Sequence, residues 1–276
     1  MQHYSGSNPD KFKMSEAIAV AGKIGAFCLA GYVLVAVLGH FVSLKMIFPR
    51  PPVSYALTPD FVQLGTPDGE KITTRYWPNP SAKYTVLYLH GNYEDLGGVG
   101  EYLPRFVAAG YAAFSMDYRH YGHSTGEPTE TNTNADVRMA YRYLRDTLHV
   151  PAERILIFGY SLGSGPAVEL ALDEPAAGLV LQGPYVSAYR VRTVVRLLPG
   201  DKFENLAKVP RLKLPVLVIH GTGDGTIPFW HGEAIYAAIT SRKEKLFVDG
   251  GPHSRLEEYT GEPYWRALKK FTDSLP

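Results

Sequence analysis

Six short runs of unbroken apolar character recur along the chain, and they limit the possible folds more than any other feature. They occupy residues 84–90, 111–117, 154–159, 178–182, 215–220 and 245–249. Each is too short for a core helix and lacks the alternation of a strand wetted on one side. That is the pattern of a strand covered on both faces. Helix-like segments separate several of the runs. Residues 134–148 carry Val137, Tyr141, Leu144 and Leu148 near helical spacing, and 162–172, 231–239 and 255–271 read as further helices. Strands alternating with helices imply right-handed crossovers and a mostly parallel sheet.

Two more strands, 61–65 and 71–77, flank the turn Pro67-Asp68-Gly69. They predict an antiparallel hairpin at the start of an eight-stranded sheet. Residues 184–214 break the alternation. They hold Tyr185, Tyr189, Val194, Leu197 and Leu198, then the turn Pro199-Gly200-Asp201. The segment falls between two strands, at the edge where such sheets bind ligands, and reads as a small cap.

The N-terminal region is of another kind. Residues 24–44 carry no formal charge and lie between Lys23 and Lys45. As a helix they rise about 31 Å, close to the hydrocarbon thickness of a bilayer. A cleaved signal peptide fits less well, because the run is long and no A-x-A-like site follows. A buried core helix fits least. The expected organisation is a polar tail at 1–23, loosely ordered over 1–16, and a single transmembrane anchor at 24–44. A connector follows at 45–58, broken by Pro49, Pro51 and Pro52, and then one domain at 59–276. Lys11, Lys13 and Lys23 precede the anchor, and Lys45 and Arg50 follow it. That bias places the N-terminus inside and the domain on the non-cytoplasmic side. Cys28 is the single cysteine, so no intramolecular disulfide forms, and it reads as apolar filler. A net charge of +1 with no basic run argues against a nucleic-acid partner.

Gly159-Tyr160-Ser161-Leu162-Gly163 is a G-x-S-x-G motif. It follows the apolar strand RILIFG and opens a small-residue helix, the strand–turn–helix setting in which an exposed serine becomes a nucleophile. The helix N-terminus behind it offers free N–H groups to an oxyanion. The bland alternative is a glycine-rich loop with an incidental serine. Ser164 is the fallback nucleophile.

A serine hydroxyl needs a base, and the base needs an orienting acid. Asp224 follows the strand PVLVIH in Gly221-Thr222-Gly223-Asp224, at the same sheet edge as Ser161. His253 follows the last strand in Asp249-Gly250-Gly251-Pro252-His253. Asp249 is an alternative acid. His231 is a rival base, although it begins a helix, and His220 reads as structural. His90-Gly91-Asn92 follows the strand YTVLYLH; the N–H of Asn92, or of Tyr93, pairs with that of Leu162 as a candidate oxyanion hole. His90 reads as a buried support. Residues 117–124, DYRHYGHS, hold two histidines and an aspartate at a spacing that matches no metal site. Asp117 and Arg119 are expected to brace loops. No metal or cofactor is expected.

Taken together, HGN, DYRHYGHSTGEPTE, GYSLGSG, PVLVIHGTGDGTIP and GGPH fall in an order that resembles one branch of the α/β-hydrolases. The chain is similar to the single-pass, membrane-anchored hydrolases of the ABHD group and their bacterial relatives, over about residues 46–276. MIFPRPP after the anchor adds to the likeness. The resemblance implies the α/β-hydrolase fold, a triad of Ser161, Asp224 and His253, and hydrolysis of acyl esters or thioesters. His120 stands where these relatives usually carry glycine, and Tyr93 where they carry a small residue. Both are expected near the pocket, so substrate preference does not follow from the resemblance. The N-terminal cysteine cluster of the depalmitoylating members is absent.

The expected function is therefore serine-dependent ester or thioester hydrolysis on a small-molecule or lipid-derived acyl substrate at a membrane, with no obligate protein partner. The alternatives are a peptidase or acylaminoacyl-type amidase, and a catalytically inactive binding module.

Overall fold

The fold is described from a computed structural model, covering residues 9–275 for the backbone and the side chains from residue 18. Helix α1, Pro9–Ile47, comes first. Of the polar tail expected at 1–23, residues 1–8 lie outside the described residues. From Pro9 onward the backbone is already helical. Proline suits the first helical position, and the Lys, Met, Glu and Ala that follow are good helix formers. Within α1, Ile18–Ile47 is long and apolar enough to cross a membrane. Phe48, just past its end, is buried in the domain core beside Phe203.

The hairpin β1 (Phe61–Gly65) and β2 (Lys71–Trp77) follows. Next come β3 (Thr85–Leu89), α2 (Leu96–Ala108), β4 (Ala112–Met116) and α3 (Glu130–Arg142), which ends in one π turn, Tyr143–Thr147. Strand β5 (Ile155–Tyr160) leads through a 3-10 turn, Ser161–Gly163, into α4 (Ser164–Asp173). After β6 (Gly178–Gln182), the cap contains a turn at Tyr189–Val191 and the short α5 (Asn205–Lys208). The chain closes with β7 (Val216–Gly221), α6 (Trp230–Ala238), β8 (Lys243–Val248), α7 (Leu256–Thr260) and α8 (Glu262–Asp273).

The eight strands form one sheet in the order β1-β2-β4-β3-β5-β6-β7-β8. β2 pairs antiparallel with both β1 and β4, and every other pair is parallel. Side chains alternate across it into two cores. Leu87 and Leu89 of β3 join one, while Val86 and Tyr88 join the other. All residues of β3 to β7 are buried, which is why these strands read as continuous apolar runs.

Three helical details differ from the sequence expectation. α2 was not expected, because Gly97, Gly98, Gly100 and Pro104 dilute its helical signal. It forms because Asp95 caps the Gly97 and Gly98 N–H groups and Leu96, Val99, Leu103 and Phe106 bury one face. α3 starts at Glu130 rather than 134, since Thr129 and Asn132 make a reciprocal capping box. The last helix is two helices, broken at Gly261, whose φ is +67°.

Candidate active site

The strand order puts the C-terminal ends of β5, β7 and β8 along one sheet edge. Each end carries one polar residue of interest. Ser161 follows β5 with φ +50°, a left-handed conformation that turns the chain sharply and lifts its side chain off the sheet. Such a turn has no room for side chains beside it. A Cβ on Gly159 would stand 2.6 Å from Ala167 Cβ, and one on Gly163 would stand 2.0 Å from the Leu89 carbonyl oxygen. The two glycines of the motif are thus required by the close approach of β3, β5 and α4. Ser164 is fully buried and donates to the Ser161 carbonyl at 2.7 Å. It braces the turn, and its hydroxyl does not point at the histidine.

The loops after β7 and β8 are stitched together. Thr222 N–H donates to Val248 O, Gly223 N–H to Gly251 O, and Gly250 N–H to Thr222 Oγ1. This seam carries His253 to Asp224. His253 Nδ1 lies 2.6 Å from Asp224 Oδ2, and His253 Nε2 lies 2.9 Å from Ser161 Oγ. An ionised carboxylate only accepts, so Nδ1 carries the ring proton. Nε2 is then free to accept from the serine hydroxyl.

Asp224 is buried, which by itself would raise its pKa. Hydrogen bonds from His220 and His253, with the Ile227 amide, more than reverse this and hold it well below the usual carboxylate range. Asp224 Oδ1 also accepts from the Thr226 and Ile227 N–H groups, at 2.8 and 2.7 Å. His220 Nε2 is 3.0 Å from Ile227 O and 3.2 Å from Asp224 Oδ2, a shared contact that supports the acid. His231, the rival base, is buried in α6, where its Nδ1 accepts from Val186 N–H. Burial, then the neighbouring His220 and Arg190, push it down to about 4. Asp249, the alternative acid, is exposed and accepts from Thr222.

A cavity of about 430 Å³ opens over Ser161. Asn92, Tyr93 and Leu162 line it beside the serine. Leu162 lies in the first turn after the elbow, where N–H groups have no intrahelical partner. His90 beneath them is fully buried, 2.8 Å from Gly91 O, and burial pushes its pKa down to about 4. It is a neutral support. Asp117 accepts from Leu96 N–H and the Tyr55 hydroxyl, and Arg119 forks to Asp68 and Asp136. Both hold loops together.

Solved structures share this architecture. The esterase Pf2001 of Pyrococcus furiosus superposes with a TM-score of 0.70 at 19% identity, covering 82% of this chain and 99% of its own. The Rhodococcus esterase RhEst1 gives 0.63 at 19% identity, covering 79% and 100%. A family model described as "Serine aminopeptidase, S33" matches residues 80–205. The Caenorhabditis elegans alpha/beta hydrolase domain-containing protein aho-3 is 39% identical over 207 residues, covering 71% of this chain and 59% of its own length. Human alpha/beta hydrolase domain-containing protein 17B is 37% identical over 199 residues, covering 70% of this chain and 67% of its own.

The chain belongs to the α/β-hydrolases, in the ABHD group. It spans about three-fifths to two-thirds of these relatives' lengths. Of the chain's two departures expected near the pocket, only Tyr93 borders the cavity. His120 does not; it is exposed and 3.4 Å from Glu127, with φ +63°, a conformation that glycine adopts without strain. The residues missed from sequence are walls. Glu94, next to the candidate oxyanion loop, lines the cavity and accepts from Gly91 N–H at 2.9 Å. Burial raises its pKa. Arg192 of the cap lines it too, as do Met46 and Ile47 from the end of α1. Glu94 sits two residues after Asn92 and was within reach of motif reading. Nothing in the pattern links residues 46 and 47 to a site over a hundred residues away.

Proposed function

We propose that the protein is a serine hydrolase that cleaves acyl esters or thioesters, and that α1 holds it in a membrane. The observation that carries this reading is the unbroken relay from Asp224 through His253 to Ser161, at 2.6 and 2.9 Å. His253 Nε2 takes the hydroxyl proton as Ser161 Oγ attacks the acyl carbonyl. Asp224 fixes the imidazole tautomer and stabilises the imidazolium that forms. The Asn92 and Leu162 N–H groups receive the developing oxyanion, each such donor being worth about 3 kcal/mol. The imidazolium then protonates the leaving group. Water, activated by the same imidazole, releases the acyl chain from Ser161.

A peptidase or amidase is the second reading. It is favoured by the description of the matching family model and by Glu94, a carboxyl able to meet the ammonium group of an amino-acid substrate. Two measurements on the full chain test these readings, the first for Ser161 and the second between ester and amide. A fluorophosphonate probe should label the protein and fail to label Ser161→Ala; undiminished labelling of that variant removes Ser161 from its role. Turnover of p-nitrophenyl esters well above that of amino-acid anilides supports the esterase reading, and the reverse ranking supports the peptidase.

A further inference from the structure

The cap does more than roof the cavity. One face of α1, formed by Ala36, Gly39, His40, Ser43, Leu44 and Ile47, is partly covered, while its other faces are exposed. The spacing is that of a single helical stripe. Part of what covers it is the cap. Ser43 Oγ donates to the Tyr189 hydroxyl at 3.0 Å, Leu198 packs so closely that a Cβ on Gly39 would stand 2.7 Å from it, and the Tyr32 hydroxyl donates to Leu197 O at 3.4 Å. The cap therefore climbs the helix from Ser43 to Tyr32.

Length makes this consequential. Ile18–Ile47 is 30 residues, about 45 Å of helix. The stretch flanked by the cap and domain, from Tyr32 to Ile47, takes up about 24 Å of that length. About 21 Å remains, short of the roughly 30 Å of hydrocarbon a spanning helix must cross. The shortfall of about 9 Å is made up if the cap tip sinks beside the helix, to the depth of about 5–10 Å reached by interfacial elements.

The tip is composed for that position. Val194, Val195 and Leu197 are 72%, 59% and 58% exposed, on the loop that touches α1. Seven basic residues against two acidic ones lie within 184–214, whereas the whole chain carries only +1. Arginines at 190, 192 and 196 interleave with the valines and leucines, the arrangement in which apolar side chains enter acyl chains and cationic heads stay among phosphates. Arg190 curls back onto Val194 O and Arg196 pairs with Glu204, so both charges are held at the tip rather than trailing in solvent.

The geometry points to a second membrane contact: the Val194–Val195–Leu197 tip of the cap sits in the headgroup–acyl boundary of an anionic bilayer, alongside α1. Because the cap and the end of α1 both wall the cavity, its mouth then faces lipid. That last consequence rests on the hydrolase reading; the membrane contact rests only on α1 being held in a membrane.

The test uses the full chain in mixed phosphatidylcholine–phosphatidylglycerol vesicles. A fluorophore is attached at Cys28, or in a Cys28→Ser background at Val195→Cys or Ser81→Cys. Ser81 precedes β3, at the sheet edge opposite Ser161. Lipids with a quencher near the headgroup should quench the dye at 195 at least about twofold, with little effect at 81; a quencher deep in the acyl chain should act on Cys28. Equal, weak quenching at 195 and 81 overturns the contact, whatever the protein's activity. A second readout replaces Val194, Val195 and Leu197 together by serine. Hydrolysis of a vesicle-embedded ester should fall about tenfold while that of a water-soluble ester is unchanged. A fall in both, or in neither, overturns the role in presenting lipid.

Discussion

The side chain of His253 is held at 2.6 Å by Asp224, and the acid is itself held by amides and a second histidine rather than by solvent. An acid fixed in this way acts on tautomer rather than on position. Asp224→Asn preserves shape, yet its amide donates where the imidazole N–H must be accepted, so the ring turns its lone pair away from Ser161. Turnover of a p-nitrophenyl ester should drop about 10^4-fold in Asp224→Asn, with thermal stability little changed. Ser161→Ala and His253→Ala should drop as far. Asp249→Asn, outside the relay, should retain wild-type turnover; a comparable loss there would reassign the acid.

The elbow predicts a stability pattern that side-chain chemistry would not. Gly163→Ala places a methyl 2.0 Å from the Leu89 carbonyl, and Gly159→Ala places one 2.6 Å from Ala167 Cβ. Backbone and helix must both move, and each variant should lose about 3 kcal/mol or more in urea unfolding. Gly65→Ala is the control. It lies in β1 with nothing within 4 Å of the added methyl, and its cost should stay within about 0.5 kcal/mol.

Part of this arrangement is legible in the sequence itself. β3 and β5 were legible because both faces of each are buried, leaving no polar positions to confuse the pattern. The strand-end positions of Ser161, Asp224 and His253 were legible because each lies in a glycine-containing turn or loop after a strand, although β8, which precedes His253, is only partly buried. α2 was hidden by its glycines and Pro104, since tertiary burial and the Asp95 cap, not propensity, make it helical. The walls from α1 and Arg192 were hidden for a deeper reason. Their place depends on how a helix and a loop dock onto the sheet, and no local spacing encodes that.

Alkaline pH should weaken the fold through Asp117. Burial raises its carboxyl to about 8, despite hydrogen bonds from Tyr55 and Leu96. A folded-state value above the unfolded value of about 3.9 means the native state holds an extra proton. The associated stability is complete below pH about 4 and is lost as pH rises through about 8. Asp224 runs the other way: its depressed value contributes stability above pH about 4 that is lost only on acidification. Asn at 117 accepts from Leu96 and donates to Tyr55, so both contacts survive without a titrating proton. Melting temperature should fall between pH 6 and 9 in the wild type, and Asp117→Asn should flatten that fall. An unchanged slope would place the sensitivity elsewhere.

Glu94 should separate substrates by charge. Its carboxyl lines the cavity, anchored by the Gly91 N–H at 2.9 Å. Burial raises its pKa, so the charged form exists only toward the alkaline side of an ordinary glutamate. A cation in the cavity pairs with that charged form and a neutral alcohol does not. The natural comparison is a choline ester against its 3,3-dimethylbutyl isostere, with the same acyl group. Glu94→Gln keeps an oxygen for the Gly91 N–H while removing the charge. It should cut kcat/KM for the choline ester about tenfold, through KM, as expected for one partly screened charge pair of about 1.4 kcal/mol. The neutral ester should change little. The discrimination should also grow with pH in the wild type and be flat in the variant. If both esters respond equally, Glu94 acts on the oxyanion loop through Gly91 rather than on the bound cation.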